Sequence, residues 1–371
     1  MARTTGNAKD LITFTRASTG TFLGSNGLLQ TAAINTPRVE YDANGVAKGL
    51  LIEEARTNLI PDSEDLTAAS WAGKTQHTGQ ANAAISPAGT QTATRITSTG
   101  TDPYLFHFTP VTAGNDYVLT VWLRGIGNTV GRTPRVWFLN NSGTISSTFD
   151  STPLTDSWQK YTVTGSCTGS GTVLTRIDFD DSGLSAPGEQ VDVWGAQVEQ
   201  GSFPTSYIPT SGATATRSAD IASVSVSEFG YNQAQGSVVV ECQSLQTTAA
   251  NPMAYQLNDG TVSNRITVFG SGGGWRFVTT TSGTAQADIN ISSSFNSGSF
   301  NKIASSFAAN QFNHVVNGES GVEDVSGSLP TITTLSLGTQ ILTNQINGHI
   351  KSINYYPLRL SDAKLQELTS S

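Results

Sequence analysis

The chain carries 371 residues, 20 of them basic and 28 acidic, for a net charge of −8; a phosphate backbone is repelled, which excludes nucleic acid as the expected partner. Only 13% of residues are charged and 37 are glycine, a composition that suits short strands joined by tight turns and leaves little for helix. Met1–Asp10 lacks the apolar segment of a secretory signal, and no later run approaches the roughly 18 apolar residues that span a bilayer, so synthesis in the cytoplasm without a signal peptide and no membrane insertion are expected.

Residues 1–57 are predicted to form an extended N-terminal arm. Its strand-like fragments Leu11–Thr15, Val39–Tyr41 and Gly49–Ile52 are separated by Gly, Asn and Pro and hold too few apolar residues for a core of their own. Such a segment leans on something else, either lacing the next domain or docking onto another protein. Arg16, Arg38 and Arg56 occur with Glu40, Glu53 and Glu54, and paired charges let an extended arm dock with its ions satisfied. Glu53 and Glu54 make a poor catalytic pair, because neighbouring strand residues point to opposite faces.

Residues 58–209 alternate with a period of two over successive short runs, the pattern of half-buried strands in a jelly-roll sandwich. In Tyr117–Arg124 the apolar phase is Tyr117, Leu119, Val121 and Leu123, and Trp122 and Arg124 fall opposite. The same split puts Val136 and Phe138 inside with Arg135 and Trp137 outside, and Ile177 and Phe179 inside with Arg176, Asp178 and Asp180 outside. Tyr104–Phe108 is read with His107 outward. These strands present an outer face of Trp, Arg, His and Asp. A pyranose offers C–H patches that lie on indoles and hydroxyls that need directional polar partners, so Trp122, Arg124, Arg135, Trp137, Arg176, Asp178 and His107 are the candidate carbohydrate site. Trp158 and Trp194 are set aside as structural.

Residues 210–222, without periodicity, read as a linker. Residues 223–371 supply further strand candidates, Ser237–Glu241, Arg265–Phe269, Trp275–Val278, Asn301–Phe307, Gln311–Gly318 and Gly348–Tyr356, and end in a helix over Ser361–Leu368 with Ser361 as its cap and Leu365 and Leu368 on one face. The predicted fold class is all-β: two β-sandwich (jelly-roll) domains preceded by an extended N-terminal arm, with a short C-terminal helix.

Cys167 and Cys242 lack metal or disulfide spacing, His77, His107, His314 and His349 show no ligand spacing, and Asp259, Asp288 and Asp324 are isolated. No metal and no cofactor are expected. Glycoside hydrolysis needs two carboxyls flanking the scissile bond; Glu228, Glu241, Glu319 and Glu323 lack the Glu-x-Asp-x-x-Glu spacing of laminarinases, and the acidic cluster Asp178, Asp180 and Asp181 suits a cation or a turn equally well. The chain is therefore not expected to be an enzyme.

Phe14–Ser18, Asn35–Arg38, Gly49–Leu59 and Trp194–Arg217 together resemble a module of tail and spike proteins of tailed bacteriophages, over roughly residues 11–220. Gly49–Leu59 reads there as a lead-in to the first sandwich and Trp194–Thr210 as its closing strand and Pro-punctuated connector. The first sandwich also resembles jelly-roll carbohydrate-binding modules, and Gly348–Leu368 resembles the ending of concanavalin A-like, laminin-G-type domains. The resemblance implies a surface-exposed virion protein of a tail fibre, tail tip or capsid spike that binds host cell-surface polysaccharide. Its arm would meet other virion proteins, and a homo-oligomer, with a trimer favoured, would strengthen weak single-site binding. An architectural virion component without glycan binding and a capsule depolymerase are the alternatives.

Overall fold

A computed structural model describes residues 11–179, 186–292, 294–341 and 343–370. The described chain is nearly all β, with one short helix, and its sheets are antiparallel. The first sandwich stacks a five-stranded sheet, in the order Phe149–Asp150, Arg135–Asn140, Gly171–Asp178, Tyr104–Val111, Trp71–Thr75, on a six-stranded sheet, in the order Thr144–Ser147, Gln159–Gly169, Asp116–Ile126, Gln190–Gln200, Ala93–Ser98, His77–Ala84. Leu119, Val121 and Leu123 from one sheet meet Val136, Phe138 and Ile177 from the other in a single buried cluster, the phase that alternation predicts.

The second sandwich has two seven-stranded sheets. Their shared core holds Trp275, Phe277, Phe307 and Phe312, together with Phe14 and Ile52 from the N-terminal segment. Thr13–Thr15 pairs with Ile221–Ser225, and Ala47–Ile52 pairs with Gly348–Tyr356, so strands from the start of the chain extend both C-terminal sheets. Gly49 explains one of these contacts: at φ +117 a Cβ there would stand 2.3 Å from the Ile350 carbonyl oxygen, so only glycine lets the two strands close. The expectation that Gly49–Leu59 leads wholly into the first sandwich is thereby corrected. Its first half lies in the second strand from the edge of a C-terminal sheet, between Val39–Tyr41 and Gly348–Tyr356, and Arg56–Asn58 pairs with Ala215–Arg217 inside the segment read as linker. Period-two patterning locates a strand but does not choose its partner.

The helix Asp362–Thr369 forms as expected, with the Ser361 side chain accepting from Lys364 N. Leu360 and Leu365 seat it on Ala304 and Val315, on the outer side of a C-terminal sheet. Cys167 and Cys242 are both buried and free.

Candidate functional site

Strand order divides the predicted carbohydrate residues into two groups. Trp122 and Arg124 lie on the outer side of the six-stranded sheet, and Arg135, Trp137, Arg176 and Asp178 on the outer side of the five-stranded sheet, with the sandwich core between them. A single shared face is corrected to two opposite ones. Alternation marks the side of a strand that leaves the core, and it carries no information on which sheet the strand joins.

His107 is corrected too. It points to the core side with Leu105 and Thr109, 7% exposed, its Nδ1 3.1 Å from Thr109 Oγ1 and its ring edge-on to Trp71 at 6.1 Å. The outward phase of this strand is Tyr104, Phe106 and Phe108. Both phases are rich in apolar residues, so the phase is set by contacts across the sandwich rather than by the strand itself. Asp180 and Asp181 of the acidic cluster lie outside the described residues.

On the five-stranded sheet the outer side chains form a ladder. The Arg135 guanidinium lies 4.6 Å from the Phe149 ring centre and 5.1 Å from that of Trp137, and Arg176 lies 4.0 Å from Tyr104. Asp178 closes it, accepting from Trp137 Nε1 at 2.6 Å and from Arg176 Nε at 2.5 Å. Cations lie over these rings, as they do over Trp122 and Trp158 on the opposite face.

The other group opens onto a cavity of about 660 Å³, within the range of small-molecule sites. Cross-strand register builds its floor. Lys160 stands opposite Trp122, and Trp122 opposite Trp194; in the next row Arg124 stands opposite Asp192, and Asp192 opposite Arg95. Asp192, fully buried, receives Arg124 Nη2 at 2.6 Å and Arg95 Nε at 2.8 Å. Arg124 lies 4.9 Å from the Trp158 ring centre, and Lys160 Nζ lies 5.0 Å from that of Trp122. Trp158 is fixed by its Nε1 bond to the Ile85 carbonyl, 3.0 Å. Trp122, Trp194 and Tyr207 pack with ring centres 4.6 to 5.7 Å apart, and each such pair contributes about 0.5–1.5 kcal/mol beyond its buried area.

The motif Trp194-Gly-Ala-Gln-Val-Glu199 makes this floor possible. Gly195 has φ +66, at a shift in the pairing of the Asp116–Ile126 and Gln190–Gln200 strands, and a Cβ there would stand 2.8 Å from the Trp122 ring. Gly195→Ala is expected to destabilise the fold by about 1–3 kcal/mol and to change the Trp122 fluorescence environment. An unchanged melting midpoint would show that the bulge tolerates a side chain. The other motif residues hold the connector: Gln197 Oε1 accepts from Ile208 N at 2.6 Å, and Glu199 accepts from Thr205 N at 2.9 Å and from the Thr205 hydroxyl. Asn58 ties the two together, donating to the carbonyls of Ala196 and Ile208 and accepting from Val198 N.

The walls come from the arm and the C-terminal sandwich. The hairpin of Gly20–Leu23 and Leu29–Ala32 contributes Phe22 and Leu29, and the second sandwich contributes Glu40, Lys48 and His349. Glu40 accepts from His349 Nε2 at 2.7 Å and from Lys48 Nζ at 3.2 Å. Burial alone would raise the Glu40 carboxyl, but these two partners outweigh it and hold it below the usual range. Lys160 is reached by solvent in the cavity, yet protein surrounds it closely enough to lower the affinity of its amine for a proton, against the pull of Glu199, Glu40 and Glu53.

Beneath the cavity the arm charges find one another. Arg16 Nη1 pairs with Asp220 at 3.1 Å, Arg38 Nη2 with Asp220 at 2.5 Å and with Glu53 at 2.8 Å, and Arg217 Nε with Glu53 at 3.5 Å, all buried. Glu53 also takes Ser206 N and Oγ, each at 2.7 Å. Burial raises this carboxyl, while Arg217, Arg38 and Ser206 overcome that cost and hold it at about 2. Arg56 bonds Glu54 at 2.6 Å and donates to the Gln200 carbonyl. The residues read as a docking set are thus engaged inside the chain, where they stitch the arm, the connector and the C-terminal sandwich.

Lys160, Tyr207, Lys48 and His349 line the cavity without having been marked as site residues, and Trp158 joins them. For Lys160 a signal existed: Tyr161 and Val163 set the inward phase of Gln159–Gly169, which sends Lys160 outward. Its apposition to Trp122 required the register.

No group of three or more His, Cys, Asp or Glu able to hold a metal occurs among the described residues. His314 contacts Ser305 Oγ at 2.9 Å and the Trp275 carbonyl at 3.2 Å, but it is fully buried in the second core and reaches no cavity surface.

No family model matches the sequence, and no curated protein matches it. Among solved structures, the chain is similar to the CBM40 of Ruminococcus gnavus IT-sialidase bound to α2,3 sialyllactose, with 15% identity over 37% of this chain and 84% of that one and a TM-score of 0.32. It is also similar to domains LG4-5 of the mouse laminin α1 chain, with 11% identity over 82% and 92% and a TM-score of 0.28. The CBM22-1–CBM22-2 tandem domain of Paenibacillus barcinonensis Xyn10C aligns with 11% identity over 82% and 99% and a TM-score of 0.31.

Proposed function

We propose that this chain is a saccharide-binding structural protein of a tailed-bacteriophage virion, carried on a tail fibre, tail tip or capsid spike, and that it adsorbs the particle to host cell-surface polysaccharide. The observation that carries the binding reading is the 660 Å³ cavity floored by Trp122 and Trp158 with Tyr207 beside them and cationic groups at hand. Indoles accept the C–H faces of sugar rings, and few directional groups suffice to orient the hydroxyls. The virion assignment is supported by the resemblance carried by Gly49–Leu59 and Trp194–Arg217. Weak single-site affinity is then raised by repetition, for which a homotrimer is the expected arrangement.

Binding without hydrolysis is favoured by the cavity's acids. A glycosidase keeps one carboxyl protonated near neutrality as its general acid, whereas Glu40 and Glu53 are both held low by basic partners. Trp158→Ala is the direct test, because Trp158 is half-buried and lines the cavity. Its affinity for host polysaccharide is expected to fall about tenfold with the melting midpoint nearly unchanged; undiminished binding would remove the cavity from the account.

A second reading, an architectural virion component, is favoured by the opposite face. Phe149 and Phe108, 55% and 47% exposed, flank the Arg135–Trp137–Arg176–Tyr104 ladder, and exposed aromatic rings beside guanidinium groups are the composition of protein interfaces.

A further inference from the structure

Among the described residues, the charges that line the cavity are paired, with one exception. Arg124 is held by Asp192, Lys48 by Glu40, Glu40 also by His349, and Glu53 by Arg38 and Arg217. Lys160 has no ion pair and no hydrogen bond there; its ammonium rests over the Trp122 ring. It stands on the floor of a concave space that Trp122 and Trp158 also line. Lys160 is solvent-exposed within the cavity, so its ammonium, unpaired and placed over an indole, is open to a ligand's negative charge.

We propose that the cavity takes an anionic saccharide, one whose ring lies against Trp122 and Trp158 and whose single negative charge, a carboxylate or a phosphodiester, pairs with Lys160. This rests on the saccharide-binding reading and narrows its ligand class. A neutral saccharide accepts hydrogen bonds from the ammonium through its hydroxyls but does not neutralise its charge. The charge must come from the ligand, because the cavity's own carboxylates already have partners.

The test is a glycan array of neutral, uronate-bearing, sialate-bearing and phosphodiester-linked saccharides, probed with the full chain and with Lys160→Met, Lys160→Arg and Trp158→Ala, each checked for an unchanged melting midpoint. The expected result is that the acidic saccharides bind at least tenfold more tightly than neutral ones of similar ring content. Lys160→Met should erase that preference, Lys160→Arg should keep most of it, and Trp158→Ala should weaken every ligand. The arm with the highest affinity identifies carboxylate or phosphodiester as the source. Binding confined to neutral saccharides, or an acidic preference that survives Lys160→Met, would overturn the inference and leave the saccharide-binding reading standing. An array on which nothing binds the full chain would overturn both.

Discussion

Asp220→Ala is expected to be the most damaging single substitution in this chain, lowering stability by about 3–5 kcal/mol. Asp220 is fully buried and meets Arg16 and Arg38 with separate carboxylate oxygens, while its Oδ2 also accepts from Glu53 N at 2.9 Å. Removing it leaves two guanidinium groups buried with a single acidic neighbour, Glu53, which Arg217 also requires. The other guanidinium nitrogens bond the carbonyls of Ser18, Ala33 and Thr21, while Arg38 Nε is buried without a partner even in the intact protein. The loss falls on a junction rather than on one core, since Arg16 and Arg38 come from the arm and Asp220 from the segment between the sandwiches. Denaturant unfolding of Asp220→Ala beside Asp220→Asn measures it. If both variants retain full stability, the ionic cluster contributes no more than an exposed pair would.

Acidification should destabilise the protein in two stages. His314, buried between Ser305 and the Trp275 carbonyl, has its proton affinity lowered to about 4 by burial from an ordinary value of 6.5. Its contribution is complete above pH 6.5 and is lost as pH falls through 4. Glu53, held at about 2 against an ordinary 4.5, contributes fully above pH 4.5 and loses that contribution as pH falls towards 2. Each difference corresponds to about 3 kcal/mol. Melting midpoints recorded from pH 7.5 to 2.5 should therefore fall first below pH 6.5 and again below pH 4.5. His314→Asn should flatten the first stage and Glu53→Gln the second, both from a lower starting stability. A midpoint constant between pH 7 and 4 would contradict the burial of a neutral His314.

The β-sandwich character of both halves was legible because their strands obey a period of two, and Tyr117, Leu119, Val121 and Leu123 occupy the core as that period requires. The C-terminal helix was equally legible from Ser361 and Leu365. What escaped was everything that depends on which strand lies beside which. Trp122 and Trp137 have the same local signature, yet they fall on opposite outer faces because Asp116–Ile126 and Arg135–Asn140 join different sheets. Lys160 meets Trp122 across a strand pair some forty positions apart in sequence, a relation that no local window contains. The charges of the arm were visible as a group, but their common partner Asp220 lies far along the chain, in a segment read as linker, and a lone aspartate gives no sign of what will surround it. The motifs that stand out most in the sequence, around Trp194 and Gly49, turn out to hold the connector and a strand of a C-terminal sheet in place, and through them they shape the cavity.

The central claim is that saccharide enters the cavity between the six-stranded sheet, the arm hairpin and the C-terminal sandwich. Its most direct measurement is a titration of the full chain with host polysaccharide fragments, followed through the indole N–H resonances of its tryptophans. Shifts confined to Trp122 and Trp158, with Trp137 on the opposite face and Trp275 in the second core unmoved, are the predicted result. Shifts at Trp137 alone, or no shift at any indole under saturating fragments, would contradict it.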